Sequence, residues 1–337
     1  MTIDQLILKN FLMFAGNGLG VFDETFIDGI NVFVGANATG KTTLLKCIYA
    51  ACECSKEKSV EHTAKDLLGY FSTSNNARKN LKQRQNGYEP GLVQVRSGKF
   101  EYQYDVEKGL TDISKWVQGS ISSVFIPTAE MLSHSKGLLA MFSKYDEIPF
   151  DYTQIDILVN AQLWETKKIS ERNKKILAMV GGVIDGEVVY ENDIFYVVKS
   201  NGMKVEFSLE ADGFKKFGLL WKLIRNGLLE RGSILLWDEP EASINPELMP
   251  LLADILYILK NDGVQIFIAT HNYTLAKYID IKKQNPDDVL FLSLCKENCG
   301  IIRTARSNSY SKLKNNPIEI SEEKLYETII NKSLEET

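Results

Sequence analysis

Eight residues near the start of the chain, Gly35-Ala36-Asn37-Ala38-Thr39-Gly40-Lys41-Thr42, satisfy the pattern GxxxxGK[ST]. Glycines at these spacings let backbone N–H groups surround phosphate oxygens at a helix N-terminus, where the peptide dipoles favour negative charge. In that arrangement Lys41 reaches the β- and γ-phosphates of a nucleoside triphosphate, and the Thr42 hydroxyl ligates Mg2+. The predicted nucleotide contacts are Gly35, Asn37, Ala38, Thr39, Gly40, Lys41, Thr42 and Thr43.

Two acids, Asp238 and Glu239, follow the apolar run Ile234-Leu235-Leu236-Trp237. A buried strand that ends this way delivers both carboxylates to the crevice beyond the strands' carboxyl ends. Asp238 would hold the magnesium ion there, while Glu239 would orient or deprotonate the attacking water. His271 closes the run Phe267-Ile268-Ala269-Thr270, at the end of another apolar strand predicted to lie beside the first. A lone histidine is often structural, but this position favours a catalytic role alongside Glu239 and Lys41.

Positioning these groups takes a particular set of elements. Alternating apolar residues at Ile3, Leu6 and Leu8, then the stretch 24–35, predict two strands leading into the glycine-rich loop, with a helix from Thr42 onward. The runs 91–98, 99–107 and 122–127 read as strands, the last ended by Pro127. Residues 55–90 are polar around one apolar island, as expected of a surface excursion. From Thr128 the pattern turns helical, with Gly181-Gly182 as the expected stop. Asn201-Gly202 between alternating runs predicts a hairpin whose two central residues both take positive φ. An amphipathic helix before residue 230, the buried runs 233–240 and 264–271, a helix between them, a strand at 289–294 and a charged helix from Ser321 to Glu336 complete the chain. The predicted divisions are 1–127, an inserted helical lobe at 128–186, and 187–337.

With 337 residues, 44% of them hydrophobic and 25% charged, the chain is long enough for one large domain or a head with an inserted lobe. A formal net charge of −5 argues against coating nucleic acid by bulk charge and leaves a local basic face open. No stretch reaches the roughly 18 uninterrupted apolar residues of a membrane span, so no membrane partner and a cytoplasmic location are expected. The five cysteines, Cys47, Cys52, Cys54, Cys295 and Cys299, lack zinc-type spacing and read as thiols in a reducing compartment. Neither His62 nor His134 stands at ligand spacing to them.

The sequences GANATGKT, ILLWDEPEASINP and FIATHN, with the opening LILKNF, resemble the ATPase heads of the RecF, SMC and OLD-like branch of the ABC superfamily. This resemblance implies an α/β P-loop NTPase fold: a mostly parallel sheet, an N-terminal antiparallel part and an inserted helical lobe. It further implies ATP and Mg2+ as cofactors and a homodimer that clamps two ATP molecules at its interface. By the same resemblance, residues 210–218 stand at the family's signature sequence, and Gly213 would face the partner's γ-phosphate. The usual serine falls on Ala211, and Asp212 places a carboxylate near phosphate, with Lys215 and Lys216 available to offset it. The alternative is an exposed helix start capped by Asp212. Glu130 falls at the family's lobe-connecting switch position, usually glutamine, and Asn245 at its dimer loop, where it is equally a helix cap before Pro246.

No persistent heptads and no clustered DxD follow, so neither the branch's coiled-coil arms nor a Toprim nuclease domain is expected, and the head is expected to stand alone. Three functions remain. The preferred one is an ATPase that dimerises on ATP and switches a separate effector protein, as in toxin-like and anti-phage defence systems. The second is a DNA-repair type ATPase that binds nucleic acid directly. Its motivating feature is the run Arg78, Lys79, Lys82 and Arg84, which as a solvated loop has a simpler reading. The third is a slow nucleotide-sensing clamp, suggested by the altered signature.

Overall fold

The computed structural model describes residues 1–15, 21–56, 67–71, 81–82, 90–110, 114–145, 149–297 and 300–335. Its centre is a six-stranded sheet of β3 (Ile30–Gly35), β7 (Ser123–Ile126), β11 (Ile234–Asp238), β12 (Gln265–Thr270), β13 (Val289–Lys296) and β14 (Ile302–Ser307). The order is β14-β13-β3-β12-β11-β7, and every neighbouring pair is parallel except β13 with β14. Strands β3, β7, β11 and β12 are buried along their whole length, which is why they read as nearly unbroken apolar runs.

Alternation along these strands sends side chains to two separate cores. Phe33, Leu236 and Phe267 join α1 (Lys41–Cys54) and the inner face of a second, antiparallel sheet. That sheet runs β2 (Phe22–Thr25), β1 (Gln5–Lys9), β4 (Leu92–Ser97), β5 (Phe100–Asp105), β6 (Gly109–Leu110). Val32, Leu235, Trp237 and Ile268 face the other way, onto the helices. These are α2 (Leu138–Lys144), α3 (Tyr152–Gln162), α4 (Glu171–Ile184), α5 (Asp212–Arg225), α6 (Met249–Asn261) and α7 (Tyr273–Lys282). A three-stranded antiparallel sheet, β8 (Gly186–Glu191), β9 (Ile194–Lys199) and β10 (Lys204–Glu206), packs against α4 and α5. Helix α8 (Pro317–Glu335) ends the described chain. No helix among the described residues is long and apolar enough to cross a membrane.

Several local expectations change. Gly181 and Gly182 lie inside α4, which continues to a C-cap at Asp185 in the left-handed region, φ 51°. Gly181 lies against the returning β8, since the Gly186 carbonyl is 3.3 Å from where a Gly181 Cβ would sit, and the helix ends where the Asp185 N–H closes on the Gly181 carbonyl. The β9–β10 hairpin forms, but only Gly202 takes positive φ (83°). The Gly202 N–H donates to the Lys199 carbonyl and the Lys199 N–H to the Met203 carbonyl, a three-residue loop with glycine at the left-handed position in place of a two-residue turn. The sequence reading also overlooked α7, β14 and a separate β2, and it started the last helix four residues late. Most of the polar stretch 55–90 lies outside the described residues; within it, the island Leu67–Tyr70 is a 3-10 turn with Leu67, Leu68 and Tyr70 buried.

Burial lifts the Cys47 thiol well above its ordinary range and pushes that of Cys52 up to about 12, so both behave as small apolar side chains. Cys54 is also buried, Cys295 is half-buried, and Cys299 lies outside the described residues.

Candidate nucleotide site

Strand β3 ends at Gly35 and α1 begins at Lys41, so the glycine-rich loop bends straight into a helix N-terminus at the carboxyl edge of the parallel sheet. The N-cap is Gly40 at φ 98°, a left-handed conformation that a larger residue enters only with strain. A Cβ there would also stand 2.7 Å from Phe14 Cζ. Among the described residues no side chain caps this helix, and no acid occupies its first turn. The N–H groups and positive dipole end of this helix start are the arrangement a phosphate fits.

Lys41 is buried, and its Nζ donates to the carbonyls of Gly35 (2.7 Å) and Ala36 (2.9 Å). Burial lowers its pKa, against the opposing pull of Glu239, Asp238 and Glu241. A desolvated lysine held by two carbonyls gains from meeting a polyanion. Thr39 is buried and ties its hydroxyl to the Ala36 carbonyl at 2.8 Å, while Ala36, Asn37 and Ala38 face solvent at the mouth of the loop. Ala38 takes positive φ (60°). Thr43 is buried with its hydroxyl toward Met13 Sδ, 3.6 Å away, so it supports the loop from behind.

Thr42 crosses to the other half of the site. Its hydroxyl donates to both oxygens of Asp238, at 2.9 and 3.1 Å, joining residues 196 positions apart. Burial raises the Asp238 pKa, and the Thr42 hydroxyl acts against that rise. A hydroxyl and a desolvated carboxylate beside an uncapped helix N-terminus are hard oxygen ligands suited to Mg2+. Thr42 and Asp238 would hold the ion and Lys41 the phosphates it accompanies.

Glu239 leaves the end of β11 at φ 48°. Its N–H donates to the Ala269 carbonyl at 2.9 Å. Its Oε1 lies 3.1 Å from His271 Nδ1 at the end of the adjacent strand β12. The three predicted catalytic residues thus gather at the carboxyl ends of β3, β12 and β11, which are consecutive in the sheet.

Two participants were not foreseen. Glu241 is buried; its Oε1 accepts from the Thr270 hydroxyl (2.6 Å) and the His271 N–H (3.3 Å), while its Oε2 has no hydrogen-bond partner among the described residues. Burial raises its pKa, with the Thr270 hydroxyl opposing. The signal was present as a third acid two places beyond Glu239. Lys216, expected beside Asp212, instead turns inward and donates from Nζ to the Glu239 carbonyl at 2.7 Å.

The remaining predicted residues are placed elsewhere. Helix α5 has Ala211 at its N-cap with no capping side chain, so Asp212 is its first residue and not its cap. Asp212 pairs with Lys215 at 3.1 Å. The Glu130 carboxylate accepts from the N–H groups of Leu132 and Ser133, closing its own turn, and makes no hydrogen bond to Lys41, Asp238 or Glu239. Asn245 caps the turn Pro246–Leu248 through the Glu247 N–H at 3.2 Å. Of the basic run, Lys82 pairs with Glu107 at 2.8 Å, while Arg78, Lys79 and Arg84 lie outside the described residues. His62 lies outside them as well.

Residues 127–277 match a family described as "AAA domain, putative AbiEii toxin, Type IV TA system". The chain is 30% identical over 99 residues to the DNA replication and repair protein RecF of Lacticaseibacillus casei, a match covering 29% of this chain and 25% of that protein. It is 24% identical over 173 residues to RecF of Lactobacillus acidophilus, covering 51% and 43% respectively. The chain therefore spans less than half the length of the curated relatives it matches. A solved SMC head bound to the C-winged helix domain of ScpA superposes with a TM-score of 0.54 at 14% identity, covering 93% of this chain and 99% of that one. With the loop, the acidic strand end and the histidine assembled at one sheet edge, the chain is similar, in part of its sequence and in its fold, to ATPase heads of the RecF/SMC-like type.

Proposed function

We propose that this chain binds MgATP at the Gly35–Thr42 loop and hydrolyses it, dimerising on ATP and switching a separate partner protein as it does so. The observation that carries the reading is the Thr42–Asp238 hydrogen bond, which joins a phosphate-type loop and an acidic strand end 196 positions apart. Magnesium, when bound, would neutralise charge shared between the β- and γ-phosphates. Lys41 would trade its two carbonyl partners for phosphate oxygens, exchanging neutral acceptors for charged ones. Glu239 would take a proton from water, and His271 Nδ1 would keep that carboxylate oriented. Glu241 in turn would steady His271 through its N–H.

The switching role draws support from two likenesses: the family's toxin-system description, and an SMC head whose solved structure includes a separate protein domain. Dimerisation fits a loop mouth exposed at Ala36, Asn37 and Ala38. The test is phosphate release by the full chain and by Glu239→Gln, with molecular mass measured in MgATP. Turnover that falls about a hundredfold in the variant, with a dimer trapped by ATP, supports the reading. Equal release by both proteins contradicts it. A second reading, direct action on DNA, is favoured by the two RecF likenesses. It predicts turnover stimulated by duplex or single-stranded DNA and weakened steeply by salt.

A further inference from the structure

The first turn of α5 touches the acidic loop of its own chain at two points. At Gly213 the backbone comes so close that an added Cβ would stand 2.7 Å from the Ser243 carbonyl oxygen. One turn on, Lys216 is buried, only 6% exposed, and its Nζ donates to the Glu239 carbonyl at 2.7 Å. That carbonyl also accepts from the Ala242 N–H at 3.1 Å. The residue so held is Glu239 at φ 48°, a conformation that costs a non-glycine residue about 1 kcal/mol or more and persists only where its surroundings impose it. Burying an ammonium group is itself expensive, and an apolar side chain would fill the same space at lower cost. The carboxylates of Glu241, Glu239 and Asp238 supply the compensating negative field. Lys215 next to it is also buried but pairs with the exposed Asp212 at 3.1 Å, so of the two neighbouring lysines it is Lys216 that holds the Glu239 carbonyl.

We propose that Lys216 is a positioning residue: it fixes the left-handed backbone of Glu239, and so makes the carboxylate facing His271 follow any displacement of the first turn of α5. The signature turn and the hydrolytic carboxylate are then one mechanical unit within a single subunit. The catalytic consequence rests on the ATPase reading above; the coupling itself does not.

Lys216→Met and Lys216→Arg, in the full chain, separate the two. Without nucleotide, amide hydrogen exchange across residues 236–245 rises about tenfold in the Met variant and stays near wild type in the Arg variant. In steady state the Met variant loses about tenfold in kcat with KM held within about twofold, and arginine restores most of the loss. Unchanged exchange in Lys216→Met overturns the proposal. So does a loss shared equally by kcat and KM with arginine no better than methionine, the pattern of a general packing defect. Should the Met variant unfold, Lys216→Met combined with Glu241→Gln removes the stranded buried charge and is read by the same exchange criterion. If wild-type turnover proves independent of Glu239, the ATPase reading falls while the exchange comparison still decides the role of Lys216.

Discussion

Thr270→Val keeps the shape of the β12 terminus and deletes one hydroxyl. In the native protein that hydroxyl donates at 2.6 Å to Glu241, whose side chain is 4% exposed and whose second oxygen lacks a hydrogen-bond partner among the described residues. Without it, the His271 N–H remains at 3.3 Å, with the His271 ring 3.9 Å away. A hydrogen bond to a buried carboxylate is worth roughly 1.5–3 kcal/mol, and the variant should lose about that much near pH 8. The loss should depend on pH. Burial already raises the Glu241 pKa above its ordinary 4.5, so the folded protein binds this proton more tightly than the unfolded chain, and stability falls as pH rises from there through the folded value. Thr270 opposes that rise; its removal lifts the folded pKa further and widens the window of falling stability. Near pH 5 the variant can protonate Glu241 and recover part of its deficit. Urea unfolding at the two pH values measures this directly. A deficit under about 0.5 kcal/mol near pH 8, or equal deficits at both values, would refute the role given to Glu241.

Two further outcomes follow from the same geometry. Gly40→Ala meets both a φ of 98° and a contact of 2.7 Å to Phe14 Cζ, so denaturation should reveal a loss of about 2–4 kcal/mol, and titration calorimetry a loss of ATP binding. Burial holds the Lys216 pKa at about 8 against an ordinary 10.5, so the folded state binds this proton less tightly and stability should rise with pH between those values. Comparing unfolding curves of wild type and Lys216→Met isolates this contribution from other titrating groups. The difference should grow by up to about 3 kcal/mol across that range, and a flat difference contradicts the assignment.

Where placement is fixed by a short local pattern, it is legible in the sequence. The glycine-rich loop and the acidic end of β11 need specific residues at specific spacings, and the parallel strands betray themselves by burial on both faces. What escaped was set by tertiary contact. Lys216 and Lys215 are indistinguishable as neighbouring lysines and both are buried, yet Lys215 pairs with the exposed Asp212 and Lys216 donates to the Glu239 carbonyl. The double glycine of α4 looks like a stop because helix propensity is local, whereas the helix runs on to Asp185 in the left-handed region and Gly181 lies against the returning strand β8. The Asn201-Gly202 turn was right in place and wrong in type, since loop length decided the geometry. Glu130 found partners in its own turn, which no spacing argument weighs against a distant phosphate.

The central claim is that Lys41, Thr42 and Asp238 form one magnesium-dependent triphosphate site. Titration calorimetry of ATP into the full chain, with and without Mg2+, and into Asp238→Asn, tests it most directly. Binding that requires magnesium in the native chain and weakens at least about tenfold in the variant, with folding intact, is the predicted result. Equal heats for native chain and variant, or no uptake of ATP by the native chain at all, would contradict it.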